Sequence, residues 1–265
     1  MKKKTSQIKQ QMHALDSIEE RLELLNNSYE DDVAYLVTCG PSLTKHDQKV
    51  LKSKLKDKLV ICAKQSFNYL SDICDFHLIS TYNFQPYTYD NEHTIKSWQL
   101  TASNMDNELH RIINEWQHDI DIYFPVISGP WITLEGTTAY TRNFDNWKQL
   151  GTDTRVMWGP GILYESGFPL CYLLGVKKIV TIGWDIGDLS RYQGNDRDPN
   201  WIEQHSQDLY TASVGRGPSY TELKNTIECT TAMYDWFVQE GIDVEILSDT
   251  NPADKRFKRI TINEI

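Results

Sequence analysis

The chain has 265 residues, of which 40% are hydrophobic and 24% charged, enough for one large domain or two small ones with a buried core; bulk disorder is thereby excluded. With 27 Lys and Arg against 37 Asp and Glu, the net charge is -10. Such a surface argues against wholesale binding to nucleic acid or anionic membranes and leaves only a local basic cleft for such contacts.

The predicted elements begin with a charged leading helix over residues 1–30. Ile8, Met12, Leu15, Ile18, Leu22 and Leu25 recur there at three- and four-residue steps, which makes one apolar stripe suited to packing or self-association. A single domain is expected over 31–265. Val33 to Thr38 reads as a strand, followed by the turn Cys39-Gly40-Pro41-Ser42-Leu43 and a helical stretch with Asp47, Val50 and Leu51. Leu59 to Ala63 and Phe76 to Ser80 read as further strands, with a short helix from Phe67 to Ile73 between them. Alternation at this spacing predicts βαβ units and a parallel sheet.

Residues 84–160 carry weaker signals: a helix over Asn107 to Gln117, a strand over Ile120 to Phe124, then a stretch rich in Gly, Thr and Trp. Order returns with a buried helix from Phe168 to Leu174, closed by Gly175, and a strand from Ile179 to Gly183. Residues 186–219 are polar and rich in turn formers, a long segment of the kind that carries function. Thr221 to Gln239 reads as a helix and Val244 to Ser248 as the last strand.

No run of about 18 apolar residues is present, so no membrane-spanning helix is expected. The basic opening lacks the apolar core of a signal peptide. The five cysteines, Cys39, Cys62, Cys74, Cys171 and Cys229, are scattered, without a CxxC. They read as reduced, mostly buried thiols of a cytoplasmic protein. No Cys/His cluster has zinc-ligand spacing, so no metal is expected.

Four places carry candidate chemistry. Gly40-Pro41-Ser42 follows the first strand, where a glycine allows close backbone approach and a helix start offers N–H groups to an anion; an ordinary strand-to-helix turn is the alternative. Neither GxGxxG nor a Walker A loop is present. Gly183-Trp184-Asp185 ends a later strand, and Asp185 projects into the same crevice as Gly40 if the two strands are neighbours. It is otherwise a cap or turn residue. Glu165-Ser166-Gly167 presents a hydroxyl and N–H groups, or Ser166 caps the following helix. Tyr82-Asn83 follows the third strand, where Asn83 suits a base or sugar edge as well as a turn. His77 reads as a core residue and His205 as a residue of the long polar segment. Trp131, Trp147, Trp158 and Trp201 are read as buried or as stacking platforms.

In this order and spacing the four motifs resemble the bacterial sialyltransferases of the Campylobacter type and the related Maf and MptE-like proteins. The residues that carry the resemblance are Gly40-Pro41-Ser42-Leu43, Asp75 to Ser80, Tyr82-Asn83, and the block from Glu165 through Gly175 to Asp185. It covers roughly residues 33–85 and 161–250. It implies an α/β fold with a Rossmann-like, mostly parallel sheet flanked by helices (the GT-A-like variant) and a lid over 186–219. The implied activity is metal-independent transfer of a sugar from a CMP-activated donor, an ulosonic acid or a neutral sugar, to a hydroxyl of a glycan, a protein or a modified nucleobase. The donor is a substrate, and no cofactor is implied.

By the same resemblance Gly40, Pro41 and Ser42 approach the phosphate and ribose, and Gln65 and Asn83 contact the nucleotide. Ser166 and Gly167 hold the donor sugar and its phosphate, and Asp185 binds the cytidine or ribose. Tyr192 offers a hydroxyl to the leaving phosphate, and His205 or Asp188 stands in as base. The chain departs from the family at Thr38-Cys39, at Lys64-Gln65, at Glu165 where the family has Thr, and at Pro218-Ser219 where the family has its lid-end His. A carboxylate at 165 repels an anionic donor and favours a neutral one. Two alternatives follow: an MptE-like 6-hydroxymethylpterin diphosphokinase, and an inactive nucleotide-binding protein. A homo-oligomer is compatible with the leading helix.

Overall fold

The computed structural model describes residues 1–80, 87–101, 114, 119–126, 144–149, 162–186 and 220–265. Among the described residues eight strands form one parallel sheet: β1 (Val33–Val37), β2 (Leu59–Ala63), β3 (Phe76–Ser80), β4 (Ile95–Thr101), β5 (Ile122–Val126), β6 (Lys178–Ile182), β7 (Asp243–Leu247) and β8 (Lys258–Arg259). Their spatial order is β5-β4-β3-β2-β1-β6-β7-β8. The chain therefore starts in the middle, runs outward to β5, and returns to the other side of β1 as β6. This is a Rossmann-like α/β sheet flanked by helices, and its direction of progression reverses between β1 and β6.

Both faces of the central strands are buried, which is why β1, β2 and β6 read as continuous apolar runs. On one face Ala34, Leu36, Ile61 and Leu78 pack with residues of α1 (Lys2–Met12), α2 (Ile18–Leu25), α5 (Phe168–Leu173) and α6 (Tyr220–Gln239). The centre of that layer is aromatic: Trp147 stacks on Phe168 at 5.6 Å and meets Trp236 edge-on at 5.3 Å. On the other face Tyr35, Val37, Val60 and Cys62 pack with α3 (Gln48–Leu55), α4 (Ser66–Leu70) and Ile260. Four of the five cysteines are buried and none is in a disulfide. Among the described residues no helix is long and apolar enough to cross a membrane.

Two sequence expectations are corrected. The leading segment is two helices, because Ser17 starts a new one: its side chain accepts from Glu20 N, while the Glu20 carboxylate accepts from Ser17 N. Its apolar stripe faces the sheet, so that Ile8, Met12, Leu22 and Leu25 belong to the main core. The second is β4, which was not read as a strand. Its inward positions Ser97 and Gln99 are buried polar residues, and they erase the hydrophobic alternation that would have marked it.

A row of polar residues on α1 and its C-terminal cap fixes the helix to the amino-terminal edge of the sheet. Asp75, fully buried just before β3, accepts from Lys2 Nζ, from Thr5 Oγ1 at 2.6 Å and from Val60 N at 2.9 Å. Asp121, buried just before β5, lies 3.5 Å from Lys9 Nζ and 2.8 Å from His13 Nε2, and accepts from Lys96 N at 2.7 Å. Removing one side of such a buried pair strands the other. Asp75→Ala is therefore expected to lower unfolding stability by about 3 kcal/mol in urea titrations, and Lys2→Met, at a partly solvated partner, by clearly less.

Candidate active site at the carboxyl edge of the sheet

In a doubly wound sheet the loops diverge where the strand order reverses, and ligands bind beyond the carboxyl ends of those strands. Here that point lies between β1 and β6, which carry the Gly40 and Gly183 turns. The two turns run together past the strand ends. Thr38 N donates to Ile182 O at 2.8 Å, Gly40 N donates to Gly183 O at 3.1 Å, and Thr38 Oγ1 also donates to Gly183 O.

Both glycines are required by this approach. A Cβ on Gly40 would overlap Gly183 O and stand 2.7 Å from Asp185 Oδ2. Gly183 has φ of +72°, and a Cβ there would lie 2.5 Å from Thr38 O.

Asp185 does enter the Gly40 crevice, and it acts there as a cap. Its carboxylate accepts from Ser42 N and from Ser42 Oγ, each at 2.6 Å. It thus closes the first turn of the 3₁₀ helix Pro41–Lys45 from across the crevice. The Ser42 donors are consequently engaged within the protein.

His46, at the end of the same turn, was not singled out by the sequence. Burial pulls its imidazole below the ordinary value, nearby Asp185 opposes this, and Lys45 adds to it. No spacing rule links residues 46 and 185, so only the fold reveals the relation.

The β2 end is tied in as well. Ser66 Oγ lies 2.8 Å from Val37 O and 2.9 Å from Ala63 O. Gln65 is half-buried, and its carbonyl accepts from Asn68 N at 3.0 Å. Lys64 before it has φ of +54°, a left-handed conformation uncommon for lysine. Its carbonyl accepts from His77 Nε2 at 3.0 Å. A carbonyl cannot donate, so a neutral His77 carries its proton on Nε2, and Nδ1 accepts from Tyr89 Oη at 2.7 Å. His77 also stacks on Phe67 at 4.2 Å. It is a core residue, as expected.

Glu165, Ser166 and Gly167 lie on a π-helical turn, Leu163–Gly167, directly before α5. Such turns recur at functional sites because they displace side chains from the regular helical rows. Ser166 caps nothing: its Oγ is buried and has no hydrogen-bond partner among the described residues. Glu165 is buried and accepts from Gln99 Nε2 of β4. A Cβ on Gly167 would sit 3.3 Å from the Leu36 side chain of β1, so the turn rests directly on the central strand.

The structure therefore brings Gly40, Ser42 and Asp185 together. Gln65, Ser166 and Gly167 are placed around the same edge. Asn83, Asp188, Tyr192 and His205 lie outside the described residues, as do Trp131, Trp158, Trp201 and the expected lid beyond Ile186. Among the described residues no group of three His, Cys, Asp or Glu side chains is placed to hold a metal ion.

Neither a protein-family model nor a curated protein matches the chain. Among solved structures, a Maf glycosyltransferase from Magnetospirillum magneticum AMB-1 is similar over 95% of this chain and 39% of its own, with a TM-score of 0.48 and 12% identity. The chain thus spans well under half of that protein's length. A likeness that distant decides neither fold nor chemistry.

Two measurements check the site's geometry. Asp185→Ala leaves the Ser42 N–H and hydroxyl without their acceptor and is expected to cost about 1–3 kcal/mol in denaturant unfolding. Asp185→Asn removes the charge that props up His46, so the imidazole pKa should fall further in an NMR titration. The sign is fixed by the neutral form being favoured in the fold. The His46 contribution to stability is full above the unfolded value of about 6.5 and is lost as the pH falls through the lower folded value.

Proposed function

We propose that this chain is a glycosyltransferase that moves a sugar from a CMP-activated donor, ulosonic or neutral, to a hydroxyl on a glycan, a protein or a modified nucleobase, without a metal ion. One observation carries this reading. The Gly40-Pro41-Ser42 and Gly183-Trp184-Asp185 turns, two of the motifs that carry the resemblance, meet at the reversal point of the sheet. The Glu165-Ser166-Gly167 turn, third of those motifs, lies over β1 beside them.

In this reading Gly40 and Pro41 line the phosphate and ribose, and Asp185 holds the turn in place through Ser42. Ser166 and Gly167 face the sugar and its phosphate, and Gln65 and Asn83 contact the nucleotide. Transfer requires a base for the acceptor hydroxyl, for which His205 and Asp188 are the candidates. It also requires donors for the charge that develops on the leaving phosphate, a role for the Tyr192 hydroxyl.

A thermal-shift comparison of CMP, CDP, UDP, GDP, ATP and AMP, each with and without Mg²⁺, tests the reading. CMP at about a hundred times its dissociation constant should stabilise the fold by about 2.7 kcal/mol, a rise of a few degrees, independently of Mg²⁺. A shift with ATP that requires Mg²⁺ would favour the diphosphokinase, and silence from every nucleotide would overturn the proposal. Where transfer is detected, His205→Ala or Asp188→Asn should lower kcat by about 10²–10⁴ for whichever residue is the base.

A further inference from the structure

Each residue of the Gly183-Trp184-Asp185 turn is held from a different side. Gly183 O accepts from Gly40 N and Thr38 Oγ1, and the Asp185 carboxylate takes both Ser42 donors. The Trp184 carbonyl accepts from Nδ2 of Asn251, in the segment that joins β7 to β8. Asn251 is 7% exposed. Leu247 at the end of β7 is in register with Ile182 at the end of β6, so this segment leaves the sheet at the same carboxyl edge.

The segment carries its own framework. The Arg259 guanidinium donates from Nη2 to Asn251 O at 3.0 Å and Ala253 O at 2.6 Å, and from Nη1 to Asp254 O at 2.7 Å and Phe257 O at 2.5 Å. A planar fork of donors can hold several carbonyls in fixed geometry, which an ammonium on a flexible stem cannot. Ala253 N donates to Asn251 Oδ1 at 2.8 Å, which leaves Nδ2 for Trp184, and Asp254 N donates to Thr230 Oγ1 of α6 at 2.8 Å. The Trp184 ring meets Phe257 of the same segment edge-on at 6.2 Å. Among the described residues the Asn251–Trp184 hydrogen bond is the one such bond between this segment and the β6 turn. The Trp184 carbonyl lies in the planar peptide that leads into Asp185, so holding it fixes the direction in which Asp185 leaves.

The geometry points to Asn251 as a positioning residue of the candidate site: moulded by Arg259, it sets the Trp184–Asp185 peptide and, through it, the carboxylate that caps the Ser42 turn. Asn251 acts through Asp185 and touches no ligand. Its effect on nucleotide binding rests on the CMP-donor reading above, and its effect on Asp185 does not.

His46 reports where Asp185 stands. The Asp185 charge raises the imidazole pKa, against burial and Lys45, which lower it. Asn251→Ala removes the hold and changes no charge, so in an NMR titration the His46 pKa should fall from wild type toward its value in Asp185→Asn. Arg259→Lys keeps the charge, loses the fork and should move His46 the same way; it decides the matter if Asn251→Ala folds poorly. Thr5→Ala, at the opposite edge of the sheet, removes a buried hydrogen bond to Asp75 and should leave His46 unmoved, which separates positioning from a general loss of stability. A His46 pKa that stays at the wild-type value in the folded variants overturns the assignment. In calorimetry both variants should bind CMP about fivefold more weakly than wild type, the worth of one neutral hydrogen bond as a binding ratio. CMP held as tightly by the variants as by wild type overturns the link to nucleotide binding. No binding of CMP to wild type overturns the donor reading, and the His46 comparison then decides the positioning role alone.

Discussion

The candidate site depends on two loops that approach each other more closely than any side chain would permit. Beyond β1 and β6 the backbones continue to pair, Gly40 to Gly183, at a spacing that a single Cβ would disrupt. Once the loops are that close, the Asp185 carboxylate meets the first turn of Pro41–Lys45 and takes both Ser42 donors. The turn, His46 after it and the start of α3 inherit their positions from this contact. A parallel sheet leaves its strand ends to diverge at the reversal point; here the divergence begins only after the pairing stops.

The opposite edge of the sheet is held by charge. Asp75 and Asp121 sit just before β3 and β5, removed from solvent, and each accepts a backbone N–H of a neighbouring segment together with cationic or hydroxyl groups from α1 or its cap. This fixes the N-terminal helices on the far side from the candidate site. It also explains why a segment with a mixed, charged sequence is part of the main core. Its apolar stripe covers the sheet, and the adjoining polar row is neutralised by two buried carboxylates.

Buried polar residues recur where sequence patterns fail. Ser97 and Gln99 hide β4, Glu165 and Ser166 occupy a helical turn that is otherwise apolar, and His77 is enclosed by Phe67, Tyr87 and Tyr89. Each carries either a fold-specific hydrogen bond or an oxygen left unpaired. Burial also pushes the Tyr89 phenol well above its ordinary value, which keeps its proton available to His77.

The sequence by itself determined the strands β1, β2, β3, β6 and β7, whose runs are mostly apolar. It also determined the left-handed closure at Gly175 and the place of the Gly40 and Gly183 turns at strand ends. These are local properties: an unbroken apolar run, or a backbone angle that favours glycine. The strand order, the Ser42–Asp185 contact across 143 residues and the Gln99–Glu165 contact across 66 were decided only by tertiary structure. So was the division of the leading segment into two docked helices: the capping pair Ser17 and Glu20 is written in the chain, but the buried aspartates that fix the first helix lie far along it. A hydrogen bond between remote residues leaves no periodic trace in either segment, and its partners become visible only when the sheet sets them side by side.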